Sequence, residues 1–410
     1  MEIQEVLNQK NVFIPELGVI RCDTFSTVYP FVNNYLWNKE KFDPSRDGEV
    51  KEMLDVKTHI TNPYRRCVGG YGRNINVFFL LAEAMWIAMG CRDVEFLSLF
   101  NKNMEKYSDD GKVFHAPYGW RMRHWGIRSE DVFTTDSNKG YDQIIAAIKL
   151  LEKNPNTRQV VINIWNPNFD LGFQTKDMPC NDILMLKIRN EKLIATIANR
   201  SNDLHLGLPT NIFQFSFLTE LIAAALNIQL GTQTHNSQSL HVYSWNKSAE
   251  IMDSKFNLRR QGYQVIGDMY QEFGAEEMEM DFNFSHEVAA NRFHEIEDVL
   301  HIIKDNLIQV SQGYLEDEGK ISLVKSFSTY LYSAYRLLAI YIQYKANMSV
   351  QGVNVDELRL DCIESIEKME KENEKAYDGY CGKKWDISML AKNFFAERIQ
   401  NYEHEYLGCL

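Results

Sequence analysis

Between residues 76 and 90, apolar side chains fall at Val77, Leu80, Leu81, Ala84, Met85 and Ala88. This three-to-four spacing predicts a helix that stops at Gly90 and carries Glu83 inside its apolar run. A second amphipathic helix is expected over 142–153, ended by the turn Asn154-Pro155-Asn156. Alternating or apolar runs then predict strands at Gln159–Trp165, Ile183–Arg189 and Leu193–Ala198, the last two joined by the hairpin linker Asn190-Glu191-Lys192. Residues 212–226 read as a helix buried nearly all round, and Ser239–Ser244 as another strand. From about residue 285 only helical periodicity remains, over 285–311, 320–346, 355–375 and 387–404. The acidic run Glu276-Glu277-Met278-Glu279-Met280-Asp281 reads as a solvated linker. The expected class is α+β, with a mixed sheet covered by helices in 1–280 and a helical C-terminal extension in 281–410.

With 410 residues, the chain is long enough for one large domain and a smaller one. Its net charge of −12 argues against a sequence-independent grip on nucleic acid, so any anionic ligand must be held by a local arginine cluster. The seven cysteines are scattered without a CxxC pair, which suits reduced thiols in the cytoplasm rather than a disulfide framework or a metal site. No signal-peptide pattern opens the chain. The most apolar stretch, near 330–343, is interrupted by Ser333, Arg336 and Gln343, and reads as a buried helix with no membrane role.

One cysteine has a setting unlike the others. Cys180 ends the polar segment Asp177-Met178-Pro179-Cys180-Asn181, just ahead of Ile183-Leu184-Met185-Leu186. Twenty residues later comes Arg200-Ser201-Asn202-Asp203-Leu204-His205-Leu206-Gly207-Leu208-Pro209-Thr210-Asn211. A lone cysteine is most often a small core hydrophobe. Here the preceding proline and the polar neighbours point to a nucleophile, with Arg200 expected to lower the thiol pKa. A cysteine hydrolase would take His205 or His241 as base, but neither lies in a hydrolase signature. A thiolate can also add to C6 of a pyrimidine ring and make C5 a carbon nucleophile. That chemistry needs a donor for charge growing on the ring oxygen, a proton relay and arginines for the 5′-phosphate. Asn211, Glu83 and the pair Arg158 and Arg200 would supply them.

The ordered blocks resemble thymidylate synthase and its pyrimidine-nucleotide hydroxymethylase relatives over roughly residues 60–245. They are Glu83-Ala84-Met85-Trp86 to Gly90, Pro117-Tyr118-Gly119-Trp120-Arg121, Thr157-Arg158 to Trp165-Asn166, Pro179-Cys180, Arg200 to Asn211, and His241-Val242-Tyr243. The resemblance implies a thymidylate synthase-like fold, with Cys180 as nucleophile and Glu83 organising water and proton transfer. It implies that Tyr118 assists loss of the C5 proton and that Asn211 reads the pyrimidine edge. Arg200 and Ser201 would hold the phosphate, and His241 and Tyr243 the sugar 3′-hydroxyl. Asp203 and the Gly207 backbone would face the folate. Arg158 would reach the partner's site across a homodimer, and Arg73 would touch phosphate or the folate tail. The implied one-carbon donor is 5,10-methylenetetrahydrofolate, with no metal and no nucleic-acid or membrane partner.

Departures from the family pattern bear on the product. Asn181 replaces the histidine after the cysteine, Met185 a glutamine, Gln159 an arginine and Ser239 an aspartate. Met104 and Tyr107 stand near where tryptophans are expected, and the chain runs on for over a hundred residues past the core where the family has a short closing tail. Less shielding of the reacting carbon favours water over hydride. The expectation is therefore 5-hydroxymethylation, as in phage enzymes that make modified DNA precursors, with reductive methylation to dTMP as the alternative. A catalytically silent relative acting in binding or assembly is a further alternative. A carboxamide at Asn211 suits the uracil edge, so dUMP is the expected substrate.

Overall fold

The computed structural model describes residues 11–68, 76–128, 140–261, 279–376, 386–396 and 398. Its strands are β1 (Val12–Ile14), β2 (Val19–Cys22), β3 (Asp43–Ser45), β4 (Gly48–Ile60), β5 (Val161–Asn163), β6 (Asn181–Arg189), β7 (Lys192–Asn199), β8 (Asn202–Asp203) and β9 (Gln229–Tyr243). The helices used below are α1 (Tyr29–Trp37), α2 (Val77–Ala88), α3 (Val94–Phe100), α4 (Tyr118–Arg123), α5 (Gln143–Lys153), α6 (Pro167–Asp170), α7 (Leu208–Ala225), α8 (Lys247–Gln261), α9 (Ala289–Ser311), α10 (Glu318–Phe327), α11 (Thr329–Asn347), α12 (Val355–Ala376) and α13 (Asp386–Ala396).

The nine strands among the described residues join one mixed sheet, ordered β1-β2-β4-β9-β7-β6-β5, with β3 beside β4 and β8 beside β9. The two long strands β4 and β9 are its spine. They pair antiparallel from Val50↔Tyr243 to Ile60↔Gln233. The first part of β9 is flanked by parallel β7, and its last residues by parallel β8. That handover sets Glu52, His241 and Asp203 in one row across three strands. Residues 48–60 carry no pattern that predicts an element, although they form the 13-residue central strand. Lys51, Glu52, Leu54 and Asp55 break the apolar alternation there, because that strand serves a polar cleft as well as the core.

Several expected elements are displaced. The strand expected at Gln159–Trp165 shrinks to β5, since Val160, Ile164 and Trp165 bond irregularly to Leu186 and Asp182 at the sheet edge. Arg189 pairs directly with Lys192, so the hairpin turn has two residues. Asn190 and Glu191 both take positive φ, 51° and 59°, as a turn matching the strand twist demands. Helix α7 begins four residues earlier than expected, with Pro209 in its first turn where a missing N–H costs nothing. Strand β9 begins ten residues earlier, through a polar stretch without clean alternation. The single helix expected at 320–346 divides at Ser328, whose hydroxyl caps α11 by accepting from Leu331 N–H at 3.1 Å. Of the helix expected over 387–404, residues 386–396 are helical, and all but residue 398 beyond them lies outside the described residues.

The C-terminal helices share an apolar cluster with α2, α3, α5 and α7. Phe78 of α2 stacks on Tyr341 of α11 at 4.5 Å, and Arg123 and Asp93 pair with Glu297 and Lys304 of α9 at 2.8 and 2.6 Å. Within the acidic run, Glu276 to Met278 lie outside the described residues. Asp281 differs from the linker expectation: its carboxylate accepts from Thr329 and Tyr330 N–H at 3.1 and 3.0 Å, capping α11. Among the described residues no helix is long and apolar enough to cross a membrane.

Candidate active site

The sheet register brings two chain ends together. Loop 171–180 delivers Cys180 to the start of β6, and β7 runs out beside it into Arg200. The Arg200 N–H donates to the Cys180 carbonyl at 3.1 Å. Its guanidinium folds back along the same loop, with Nε 2.8 Å from Pro179 O, and Nη2 3.4 Å from Met178 O and 3.8 Å from Cys180 Sγ. The Trp165 ring lies 5.7 Å away, a cation–π contact that helps fix the arginine. The expected net lowering of the Cys180 pKa is corrected here: burial pushes the thiol up, with Arg200 and Arg46 opposing and Asp177 reinforcing the rise. Desolvation of the sulfur outweighs the cations, one of which already serves two carbonyls.

Cys180 faces two open clefts, of about 750 and 690 Å³, that meet along Cys180, Ser201, His241 and Tyr243. The first is the cationic end. Besides Arg200 and Ser201 it is lined by Arg46, on the turn between β3 and β4 and paired with Asp47 at 2.9 Å. Arg46 gives no periodic or motif signal, so sequence reasoning missed it. Arg158 is exposed ahead of β5 and lines neither cleft. Arg73 lies outside the described residues.

His241 occupies the junction. Its Nδ1 is 3.3 Å from Ser239 Oγ, and that hydroxyl is 2.5 Å from Glu52 Oε2. A serine has one hydrogen to give, and the carboxylate takes it, so His241 Nδ1–H donates to Ser239. Glu52, reached across the β4–β9 pairing, thus supplies a carboxylate one residue removed from where the family pattern has Asp and this chain has Ser239. Tyr243 packs edge-on to His241 at 5.1 Å and stacks on Trp245 at 4.8 Å, and burial pushes its phenol up to about 12.

The second cleft collects Glu83, Tyr118, Asp203, Gly207, Asn211 and Gln214. Glu83 projects from α2, which Asn76 starts by accepting from Phe79 N–H at 3.0 Å. Burial raises its carboxyl to about 8 against an opposing hydrogen bond from Gln214 Nε2, with Asp177 adding to the rise. Gln214 follows Asn211 by three residues on α7 and so shares its face, a signal the sequence carried. Tyr118 begins α4, stacked on Phe215 at 6.4 Å; burial first, then Cys180 and Asp177, hold its phenol well above the usual range. Asp177, three residues before the nucleophile, accepts from Ala116 N–H at 2.8 Å, and burial lifts it to about 6.

Asn211 is buried within a chain of side chains that all donate in one direction. Asn199 Nδ2 donates to Asn181 Oδ1, Asn181 Nδ2 to Asn211 Oδ1 at 3.0 Å, Asn211 Nδ2 to Asn202 Oδ1 at 3.1 Å, and Asn202 Nδ2 to Ser237 Oγ at 3.0 Å. Asn181 therefore has a partner that its position after the cysteine did not reveal. Asp203 Oδ1 accepts from His205 N–H at 2.6 Å and from Leu206 N–H, while among the described residues the buried Oδ2 accepts no hydrogen bond. Gly207 packs so closely that a Cβ would stand 2.8 Å from Asp203 N and 2.9 Å from Asn202 Oδ1. A buried carboxylate oxygen beside this glycine turn suits a ligand bearing paired N–H donors, as a pterin does.

The sequence comparisons agree with this arrangement. A family profile described as Thymidylate synthase matches residues 72–298. A protein named deoxyuridylate hydroxymethyltransferase from Bacillus phage SP01 is 42% identical over 210 residues, covering 51% of this chain and 54% of its own length. One of the same name from Pseudomonas phage M6 is 34% identical over 218 residues, covering 52% and 58%. A protein named thymidylate synthase from Homo sapiens is 31% identical over 159 residues, covering 39% and 48%. The chain thus spans little more than half the length of the phage relatives. Since the profile covers more than half of its 410 residues, this chain belongs to the thymidylate synthase family.

Proposed function

We propose that this chain transfers a one-carbon unit from 5,10-methylenetetrahydrofolate to C5 of dUMP, and that water completes the reaction to give the 5-hydroxymethyl nucleotide. The observation carrying this reading is the placement of Cys180 where a cationic cleft meets a cleft of carboxyl and carboxamide groups. A nucleotide with its phosphate at Arg200, Ser201 and Arg46 extends its ring past the sulfur toward Asn211, Glu83 and Tyr118. Attack of the Cys180 thiolate on C6 moves charge onto the ring oxygen, where the Asn211 carboxamide donates. Glu83, protonated at neutral pH, is the proton source for that side of the ring, and Tyr118 assists loss of the C5 proton. His241 and Tyr243 lie where the sugar passes between the clefts. Asp203 and Gly207 would hold the folate, whose chemistry is delivery of the methylene carbon.

Uracil is favoured over cytosine by the polarity of the asparagine chain, and water over hydride by Met104 and by the names of the phage relatives. Arg158, exposed and outside its own clefts, is free to reach a second subunit, so a homodimer completes the phosphate site. A cytoplasmic location belongs to the same proposal, and Cys22, Cys67, Cys91, Cys180 and Cys362 form no disulfide among the described residues. Mass analysis of products from dUMP, dCMP, UMP and CMP tests the reading. A hydroxymethylated product from dUMP, with tetrahydrofolate released, is expected. A methyl product with dihydrofolate released would instead make the chain a thymidylate synthase.

A further inference from the structure

A second pocket of about 410 Å³, open to solvent, adjoins the nucleotide cleft and shares two walls with it, Glu83 and Tyr118. Its remaining lining is largely apolar, with Trp86, Leu97 and Met104 among it, apart from one carboxylate, Asp177. Asp177 Oδ2 is fixed by the Ala116 N–H at 2.8 Å, whereas no hydrogen bond from the described residues reaches Oδ1. The loop that carries the nucleophile therefore also carries a carboxylate that lines this pocket, which borders the nucleotide cleft at Glu83 and Tyr118.

We propose that Asp177 is the general base that activates the water adding to the one-carbon unit. This rests on the hydroxymethylation reading and assigns the step that reading leaves without a base. Once the methylene is attached at C5 as an exocyclic double bond, Asp177 takes a proton from water as the water oxygen bonds to the methylene carbon. The double-bond pair moves onto C5 and the neighbouring ring carbonyl. Its return restores C5=C6 and expels the Cys180 thiolate from C6. One water is added, one C–S bond breaks, and the proton ends on Asp177, from which solvent removes it.

Glu83 borders both spaces but carries its proton where a base is needed. It holds its proton to about pH 8, while Asp177 ionises near 6, so one acid and one base coexist at neutral pH. Burial sets the Asp177 value. The Ala116 N–H, His115 and Arg121 pull it down, and Asp109 pushes it up. Asp177 in turn raises Glu83, Tyr118 and Cys180 across the pocket wall. Capping Ala116 alone would need only an acceptor, which asparagine also provides.

The test is Asp177→Asn, examined beside the wild type for covalent capture of 5-fluoro-dUMP with methylenetetrahydrofolate and for turnover of dUMP between pH 5 and 9. Capture should persist, while turnover falls by about 100-fold or more and loses its acid limb near pH 6. Asp177→Gly should regain turnover with added formate. If the variant keeps wild-type turnover and the acid limb, or loses capture together with turnover, Asp177 is not the base. If the wild type itself yields the methyl product, the hydroxymethylation reading fails instead.

Discussion

Asn181 Nδ2 donates to Asn211 Oδ1 at 3.0 Å, and this bond decides which way round the Asn211 carboxamide stands. Oδ1 is held toward Asn181 and Nδ2 toward Asn202. Turning Asn211 over would set oxygen against oxygen and nitrogen against nitrogen, unless every asparagine in the chain turned with it. Each remaining lone pair and hydrogen of Asn211 thus has a fixed position for the base. Uracil offers an acceptor at O4 and a donor at N3, and cytosine offers the reverse.

An aspartate at position 181 can only accept, so Asn181→Asp should turn Asn211 over and erode discrimination. Steady-state kinetics are expected to show the ratio of kcat/KM for dUMP over dCMP falling about tenfold or more, roughly the worth of one lost buried hydrogen bond. Unchanged selectivity would show that Asn211 is oriented by the ligand alone.

Glu83 supplies a pH prediction in two parts. Its carboxyl is raised from about 4.5 to about 8, so the folded protein binds this proton more tightly than the unfolded chain. Its contribution to stability is fully present below pH 4.5 and lost as pH rises through 8. Glu83→Gln, neutral at all pH, should therefore unfold at higher denaturant than wild type at pH 9, by on the order of 1 kcal/mol, with little difference at pH 5. The same variant should turn over dUMP at least 100-fold more slowly.

Arg46 is expected to serve the phosphate and no other part of the substrate. Arg46→Ala should raise KM for dUMP about tenfold with a smaller change in kcat, an effect that grows at low salt. Equal loss in kcat and kcat/KM would place Arg46 in the chemistry instead.

The turn at Asn190-Glu191 offers a test of the fold. Glu191 is exposed with φ of 59°, a conformation that costs an L side chain but not glycine. Glu191→Gly should stabilise the protein by about 0.5–1 kcal/mol in denaturant titration, without effect on activity.

What the chain discloses depends on whether a residue acts through a local pattern. Helices α2 and α5 and strands β6 and β7 follow apolar spacing, because each buries one face against a common core. Cys180, Arg200, Ser201, Asp203, Gly207 and Asn211 are legible because they sit in two short blocks joined by one hairpin. Arg46 and Glu52 are not, since they enter from β4 and its turn, nearly two hundred residues before the strand they face. The net rise in the Cys180 pKa is equally invisible in sequence: proximity to Arg200 can be guessed from spacing, but desolvation is a property of the whole packed loop. The helices from 289 onward are readable as helices, whereas their union with α2 through Phe78 and Tyr341 is set by tertiary packing.

The most direct measurement is intact-protein mass spectrometry after incubation with 5-fluoro-dUMP and methylenetetrahydrofolate, followed by peptide mapping. A denaturation-stable mass gain equal to both ligands is expected, located on the peptide bearing Cys180 and lost in Cys180→Ala. A wild-type protein that gains no mass, or gains it on another cysteine, would contradict this expectation.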